Sequence, residues 1–213
     1  MKIDPEGLFQ EPAQFSAGAL DLRLRLNPFR VEVGQLALAE DDRRLVLRDE
    51  ASGVQYLLVK PSDVAIYVEH GAADVGVVGK DVLLEDKKDV FELVDLKLAQ
   101  CKMVVAIPQD RSIDMPIYRV ATKYPQIAER HFVKRGIPVE IIKLHGSVEL
   151  GPILGISDAI VDIVSTGSTL KKNNLKILEE ICPISSRLIA NQVSFRVKSY
   201  EIMALIEKLE SVL

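Results

Sequence analysis

The chain has 213 residues, 48% of them hydrophobic and 5% aromatic, with no tryptophan. That is enough for a core in one large or two small domains but poor in base-stacking rings, and 27 basic against 31 acidic residues argue against a nucleic-acid surface. Two distant cysteines, Cys101 and Cys182, argue against a disulfide framework and for a reducing, cytoplasmic setting, while no apolar run reaches membrane-span length and residues 1–6 carry no signal-peptide core.

Residues 1–40 are punctuated by Pro5, Pro12, Pro28, Gly7, Gly18 and Gly34. Within them Leu20 to Leu26 alternates apolar and polar, which predicts a half-buried strand. Leu45–Leu47 and Val54–Lys60 read as two strands joined by a hairpin-type turn over Asp49–Gly53. Ser62 is placed to cap a helix that stops at Gly71. Ala73–Val78 reads as a strand ending in Gly79, and Val90–Leu98 and Lys102–Ile107 as two more.

A second unit follows. Tyr118–Ala121 is a predicted strand, and Pro125–Arg135 a helix with proline early and Gly136 just past its end. Val139–Leu144 is a strand, and Ser147 is placed to cap a short helix ending near Gly155. Ala159–Val164 is an apolar strand of the kind covered on both faces. Strand–helix–strand–helix–strand implies parallel crossovers. Arg187–Val197 reads as a strand, and residues 198–213 as a closing helix with Ile202, Leu205, Ile206, Leu209 and Leu213 on one stripe. The chain thus leaves one domain, builds another and returns. The prediction is an α/β protein with two lobes, 1–103 plus 184–213 and 104–183, and a ligand cleft at the carboxyl ends of strands.

The segment Asp158 to Leu170 carries the most chemistry. Asp162 interrupts a buried strand, where a carboxylate is costly without partners. Ser165, Thr166, Gly167, Ser168 and Thr169 follow with hydroxyls, backbone N–H groups and a glycine that permits close approach. The combination suits a phosphate next to a ribose. An ordinary polar turn is the alternative. Gly146-Ser147-Val148-Glu149 opens a helix and is either a plain N-terminus or a cleft wall. Lys123 lies between a strand and a helix, either exposed in a loop or in reach of an anion. Asp81 closes the glycine-punctuated corner Gly76-Val77-Val78-Gly79-Lys80-Asp81. Neither His131 nor His145 has a companion at metal-ligand spacing, so no zinc site is expected.

Four of these segments, in this order, resemble the ATP phosphoribosyltransferase family. They are Tyr67 to Asp81, Arg119 to Pro125, Lys143 to Leu150, and Asp158 to Leu170, the last resembling that family's phosphoribosyl-pyrophosphate loop. The likeness runs from about Asp41 to the C-terminus. It implies a two-lobed fold akin to periplasmic binding proteins. It implies transfer of the phosphoribosyl group of phosphoribosyl pyrophosphate to N1 of ATP, the first step of histidine biosynthesis, with Mg2+ chelating the departing pyrophosphate.

By the same resemblance, Ser165 to Thr169 hold the 5′-phosphate, and Asp162, with Asp158, meets the ribose hydroxyls. Glu149, Ser147, Lys123 and Asp81 line the cleft, and Arg43 lies near the pyrophosphate as a catalytic arginine. Which residues hold the metal is left open by the resemblance. The end at Leu213 resembles the short form, which works as a homodimer inside a hetero-oligomer with a histidyl-tRNA-synthetase-like regulatory subunit. The start departs from the family: where members carry Pro-Lys-Gly-Arg, this chain reads Pro5-Glu6-Gly7-Leu8. The charge reversal at Glu6 disfavours pyrophosphate by something on the order of several kcal/mol before screening. It opens the alternative of a catalytically inactive ligand-binding or scaffolding homologue.

Overall fold

The computed structural model describes residues 25–27, 30–32, 45–49 and 53–213. Chain contacts divide it into two units, Met1–Pro61 and Ser62–Leu213. In the first unit, β1 (Arg25–Asn27) pairs antiparallel with β2 (Arg30–Glu32). In the same unit, β3 (Val46–Asp49) pairs antiparallel with β4 (Val54–Leu57), and Gly53 takes a positive φ at their turn. This is the hairpin expected from the sequence. Arg43, Glu6 and most of the alternating run 20–26 lie outside the described residues.

The second unit opens with α1 (Pro61–Glu69). Proline takes the first helical position, where its missing N–H costs nothing. Ser62 therefore does not cap this helix as expected; its hydroxyl donates to the Asp63 carboxylate at 3.0 Å. The helix end at Gly71, φ +71, is as expected. Next come β5 (Val75–Gly79), α2 (Lys80–Asp86) and β6 (Phe91–Asp95).

The chain then builds a larger layer. Its elements are β7 (Cys101–Pro108), β8 (Arg119–Thr122), α3 (Pro125–Lys134), β9 (Glu140–Lys143), α4 (Leu150–Ile153), β10 (Ala159–Val164), α5 (Ser168–Lys172) and β11 (Leu175–Ile184). The strands order as β11-β7-β10-β8-β9. As the strand–helix alternation requires, β8 runs parallel to both β10 and β9. By contrast, β7 is antiparallel to β10 and β11.

Both faces of this sheet are covered, which is why β7 and β10 are apolar apart from Lys102 and Asp162. On one face Met103, Val105, Val120 and Val161 pack on Ile127 and Phe132 of α3. On the other, Val104, Ala106, Ala121 and Ile160 meet Val148 and Leu170. Each fully buried side chain of this kind contributes about 1.5–3 kcal/mol.

The returning chain supplies β12 (Ser186–Ala190), the centre of a three-stranded sheet ordered β5-β12-β6. Here the expected strand Arg187–Val197 is wrong past Ala190. Asn191 caps a new helix, α6 (Gln192–Val197), accepting N–H bonds from Val193 at 2.9 Å and Ser194 at 3.0 Å. Its side-chain amide also donates to the Val68 carbonyl at the end of α1. The alternation of Val193, Phe195 and Val197 mimics a strand, but a buried cap with both ends satisfied outweighs it. The closing helix α7 (Ser199–Glu210) buries Ile202, Leu205 and Leu209 of the expected stripe; Ile206 is half-buried, and Leu213 lies past the helix end and is exposed.

Three elements have no clear sequence pattern. In β11, Lys176, Glu179 and Glu180 interrupt the apolar residues, two register shifts break the pairing, and Pro183 is tolerated because this is an edge strand. Both α2 and α5 are short, and neither has a side-chain cap.

Candidate active site

Three parallel strands, β10, β8 and β9, end on the same side of the sheet. Their carboxyl ends deliver three loops next to one another: 165–167 before α5, 123–124 before α3, and 144–149 before α4. Ligands of open α/β sheets bind at such an edge.

The first loop turns at Gly167, whose φ of +75 is a left-handed conformation that a side chain disfavours. The Thr166 hydroxyl donates to Ser168 Oγ at 3.1 Å. Ser165, Thr166, Ser168 and Thr169 are all exposed, so a row of hydroxyls faces outward above β10. A hollow of about 440 Å³ borders this turn, lined by Thr166, Gly167, Lys171, Asn174, Gln109 and Lys176.

Asp162 lies three residues before that loop, half-buried on the face of β10 shared with Ile160 and Val164. Burial pushes its carboxyl up to about 6. The Ile163 amide opposes this, the charge of Glu149 adds to it, Lys123 opposes it and Asp81 adds to it. Three of the expected site residues, Glu149, Lys123 and Asp81, therefore act on a fourth, Asp162, from three other segments.

The second loop is built by a residue absent from the sequence-based candidates. Thr122 is fully buried; its hydroxyl donates to the Val161 carbonyl at 2.7 Å and accepts the Tyr124 N–H at 2.8 Å. This bond pair ties the end of β8 to β10 and directs the chain through the exposed Lys123. Tyr124 is also buried, and its hydroxyl donates to Asp81 Oδ2 at 3.2 Å. Burial, with the charges of Asp81 and Asp162, pushes this phenol far above its ordinary range, so it stays a neutral donor. A Thr-Lys-Tyr-Pro run after a strand is a usable sequence signal for this turn. Nothing local signals its partner Asp81.

The third loop corrects one expectation. Ser147 does not cap α4; it lies upstream in a left-handed conformation, φ +47, and its carbonyl accepts the Leu150 N–H. Glu149 takes the N-cap position without a side-chain cap bond, leaving its carboxylate to the site. Close approach holds α4 here, since a Cβ on Gly151 would lie 2.6 Å from Ser157 Oγ and 2.8 Å from Ala121 Cβ.

Asp158 is not brought to this edge. It precedes β10 at the opposite end, roughly 20 Å of strand away at about 3.3 Å per residue. Its Oδ2 accepts the N–H groups of Tyr118 and Arg119, each at 2.9 Å. Burial works against its ionisation, but those amides and the Arg111 and Arg119 guanidiniums hold it below the usual carboxylate range. That is a strand-end clamp.

Among the described residues, no three His, Cys, Asp or Glu side chains form a group that could hold a metal ion. Among them also, no helix is long and apolar enough to cross a membrane. His131, free of any metal companion, contacts Glu179 at 2.8 Å.

The family model described as HisG, ATP phosphoribosyltransferase, matches residues 60–211. The ATP phosphoribosyltransferase of Caldanaerobacter subterraneus subsp. tengcongensis is 52% identical over 177 residues, 83% of this chain and 84% of that one. Among solved structures, the ATP phosphoribosyl transferase (HisG:HisZ) complex from Thermotoga maritima matches at 44% identity and a TM-score of 0.68, covering 74% of this chain and 78% of that one. The periplasmic aliphatic sulphonate binding protein SsuA from Escherichia coli, 11% identical, matches at a TM-score of 0.51 over 71% of this chain and 58% of its own. That last likeness shows the fold alone, the periplasmic-binding-protein-like α/β fold expected from the sequence.

Proposed function

The chain belongs to the ATP phosphoribosyltransferase family, and on that premise we propose that it carries out the first step of histidine biosynthesis. N1 of ATP attacks C1 of the ribose in phosphoribosyl pyrophosphate with inversion. The N1–C1 bond forms, the C1–oxygen bond to pyrophosphate breaks, and pyrophosphate leaves with the electron pair. The observation that carries the reading is the half-buried Asp162 near the end of β10, three residues before an exposed hydroxyl loop, with Glu149 and Lys123 acting on its charge.

In this reading Ser165, Thr166, Gly167, Ser168 and Thr169 hold the 5′-phosphate through hydroxyls and amides. Asp162 accepts the ribose hydroxyls, and a charged acceptor strengthens such bonds to roughly twice a neutral pair. Lys123 offsets charge on the polyanionic substrate. Ser147, Glu149 and Asp81 line the cleft, and the catalytic role of Arg43 rests on the family resemblance alone. The work of the site is alignment and charge stabilisation, so no covalent nucleophile is required.

Mg2+ fits as a passenger of the substrate. The three carboxylates near one another are not arranged as a cage, and Mg2+ is commonly held by substrate phosphates with few protein ligands. Bound there, it neutralises charge on the leaving pyrophosphate.

The reading extends to assembly. A homodimer of this chain joins a HisZ-type, histidyl-tRNA-synthetase-like regulatory subunit in a cytoplasmic hetero-oligomer. Support comes from the HisG:HisZ complex, the solved structure at 44% identity. The lobe division 1–103 plus 184–213 and 104–183 belongs to the same reading; within residues 62–213 the separate sheets of β5, β6, β12 and of β7 to β11 support it.

The test supplies ATP, phosphoribosyl pyrophosphate and Mg2+, with and without the regulatory subunit. Phosphoribosyl-ATP is the expected product. Its absence under both conditions sinks the assignment.

A further inference from the structure

The start of α3 is closed by a residue from another helix. Pro125, its first residue, has no N–H, and Tyr124 at the N-cap supplies no side-chain acceptor. The Ala128 N–H is taken within the helix, by the Tyr124 carbonyl. That leaves two amides, and Glu85 accepts both: Gln126 N–H on Oε1 at 3.0 Å and Ile127 N–H on Oε2 at 3.1 Å. Glu85 lies in the last turn of α2, which follows β5 of the other sheet. Two more contacts join the same helices, Arg130 donating to the Leu84 carbonyl and the Tyr124 hydroxyl to Asp81.

A helix N-terminus favours an anion and leaves its first amides in need of acceptors. Here one half-buried carboxylate meets both needs, from about forty residues upstream in sequence. The consequence reaches the site because Lys123 is only two residues before Pro125. Fixing the first turn of α3 fixes where the Lys123 backbone leaves β8.

We propose that Glu85 is a positioning residue for phosphoribosyl transfer: by capping α3 from α2, it fixes the chain at Lys123, at the carboxyl end of β8 beside the site. The proposal rests on the site reading above. It assigns α2 two tasks, Asp81 at its start in the site and Glu85 at its end on α3. Without Glu85, the Gln126 and Ile127 amides lose their acceptor and the first turn loosens. Lys123 then drifts from Asp162. The groups facing Asp162 are the Ile163 amide in its own strand, Glu149 ahead of α4, Lys123 and the neutral Tyr124 phenol ahead of α3, and Asp81 in α2. Lys123 is the cation among these, so its withdrawal raises the pH at which Asp162 ionises.

The experiment compares the wild-type chain, Glu85→Gln, Glu85→Ala, Lys123→Met, and each Glu85 change in the Lys123→Met background, all in complex with the regulatory subunit. Two readouts are used. Carboxyl NMR follows the titration of Asp162 and needs no turnover; Glu85→Ala is expected to move its midpoint upward, while the same change in the Lys123→Met background moves it no further. Steady-state kinetics give kcat/KM for phosphoribosyl pyrophosphate. A misplacement on the order of 1 Å can cost up to 100-fold, so a fall of about 10-fold or more is expected for Glu85→Ala, with Glu85→Gln in between because it keeps an acceptor oxygen. In the Lys123→Met background the further loss should be less than about two-fold, since coupled residues are not additive. Should Glu85→Ala fail to fold, Glu85→Gln carries the same comparison.

An unchanged Asp162 midpoint overturns the proposal. So does an equal kinetic loss with Lys123 absent, which marks Glu85 as a purely structural cap. Tighter binding of phosphoribosyl pyrophosphate in Glu85→Ala also overturns it, by showing that the carboxylate competes with substrate. If the wild-type complex makes no product yet the midpoint still shifts, the functional assignment fails and the positioning role stands.

Discussion

Asp162→Asn separates what the buried carboxylate costs the fold from what it gives the site. Its folded midpoint is about 6 against an ordinary 3.8. Below pH 3.8 the folded and unfolded chains both keep the proton, and the carboxyl costs nothing. Between 3.8 and 6 the unfolded chain has released its proton and the folded chain has not, so the folded state loses stability as pH rises. Above 6 the cost is complete. A gap of about two units at 1.36 kcal/mol each amounts to about 3 kcal/mol. The neutral amide removes that cost. Asp162→Asn is therefore expected to be more stable than wild type by up to about 3 kcal/mol at pH 7.5, with the advantage vanishing near pH 4.

Urea unfolding of both proteins from pH 4 to 8 measures this. The difference curve is the useful quantity. Asp74, Asp95 and Asp158 have lowered midpoints and lose their contribution on acidification, the opposite sign, but they are common to both proteins and cancel. A difference that is flat with pH refutes the reasoning, because Asp162 is then not the raised carboxyl. The same variant should bind phosphoribosyl pyrophosphate more weakly, a gain in stability at the expense of function.

Wild-type kcat/KM for phosphoribosyl pyrophosphate should fall about ten-fold between pH 7 and pH 5 as Asp162 takes up its proton; a flat acidic limb in the pH profile speaks against an ionised Asp162 at the ribose. Gly151→Ala drives a methyl into Ser157 and Ala121, so thermal unfolding should show a loss of about 1–3 kcal/mol, and Glu149 should move with α4. Thr122→Val strands the Val161 carbonyl and the Tyr124 amide in the interior; about 2 kcal/mol or more should be lost and Thr122→Ser should recover most of it. Asp158→Ala should cost about 2–3 kcal/mol of stability yet leave KM for phosphoribosyl pyrophosphate within about two-fold, and a large KM effect at unchanged stability would move Asp158 into the site.

Much of the layer that carries the site is legible in the sequence because its signals are local. Apolar runs mark β7 and β10, the early proline and late glycine bracket α3, and the alternation of strand and helix gives the parallel order of β8, β9 and β10. The hydroxyl loop at 165–169 is visible for the same reason. Short elements fare worse: α2 and α5 lack side-chain caps, and β11 is broken by bulges and charges. At Asn191 two local patterns compete, and a contact with α1, over a hundred residues away in sequence, helps decide for the helix.

By itself the sequence determined which residue types stand at which strand ends, and hence the chemistry on offer. Only the tertiary structure decided how those residues are used. Asp158 and Asp162 are the same residue four positions apart, yet one is held ionised by two backbone amides and the other is pushed toward its neutral form by burial and by carboxylates from α2 and α4. Glu85 reads as an ordinary charged residue until α2 is laid against α3. The reason is physical. Propensity and capping act over a few residues, whereas desolvation, like-charge repulsion and a cap from another helix depend on which segments the fold brings together.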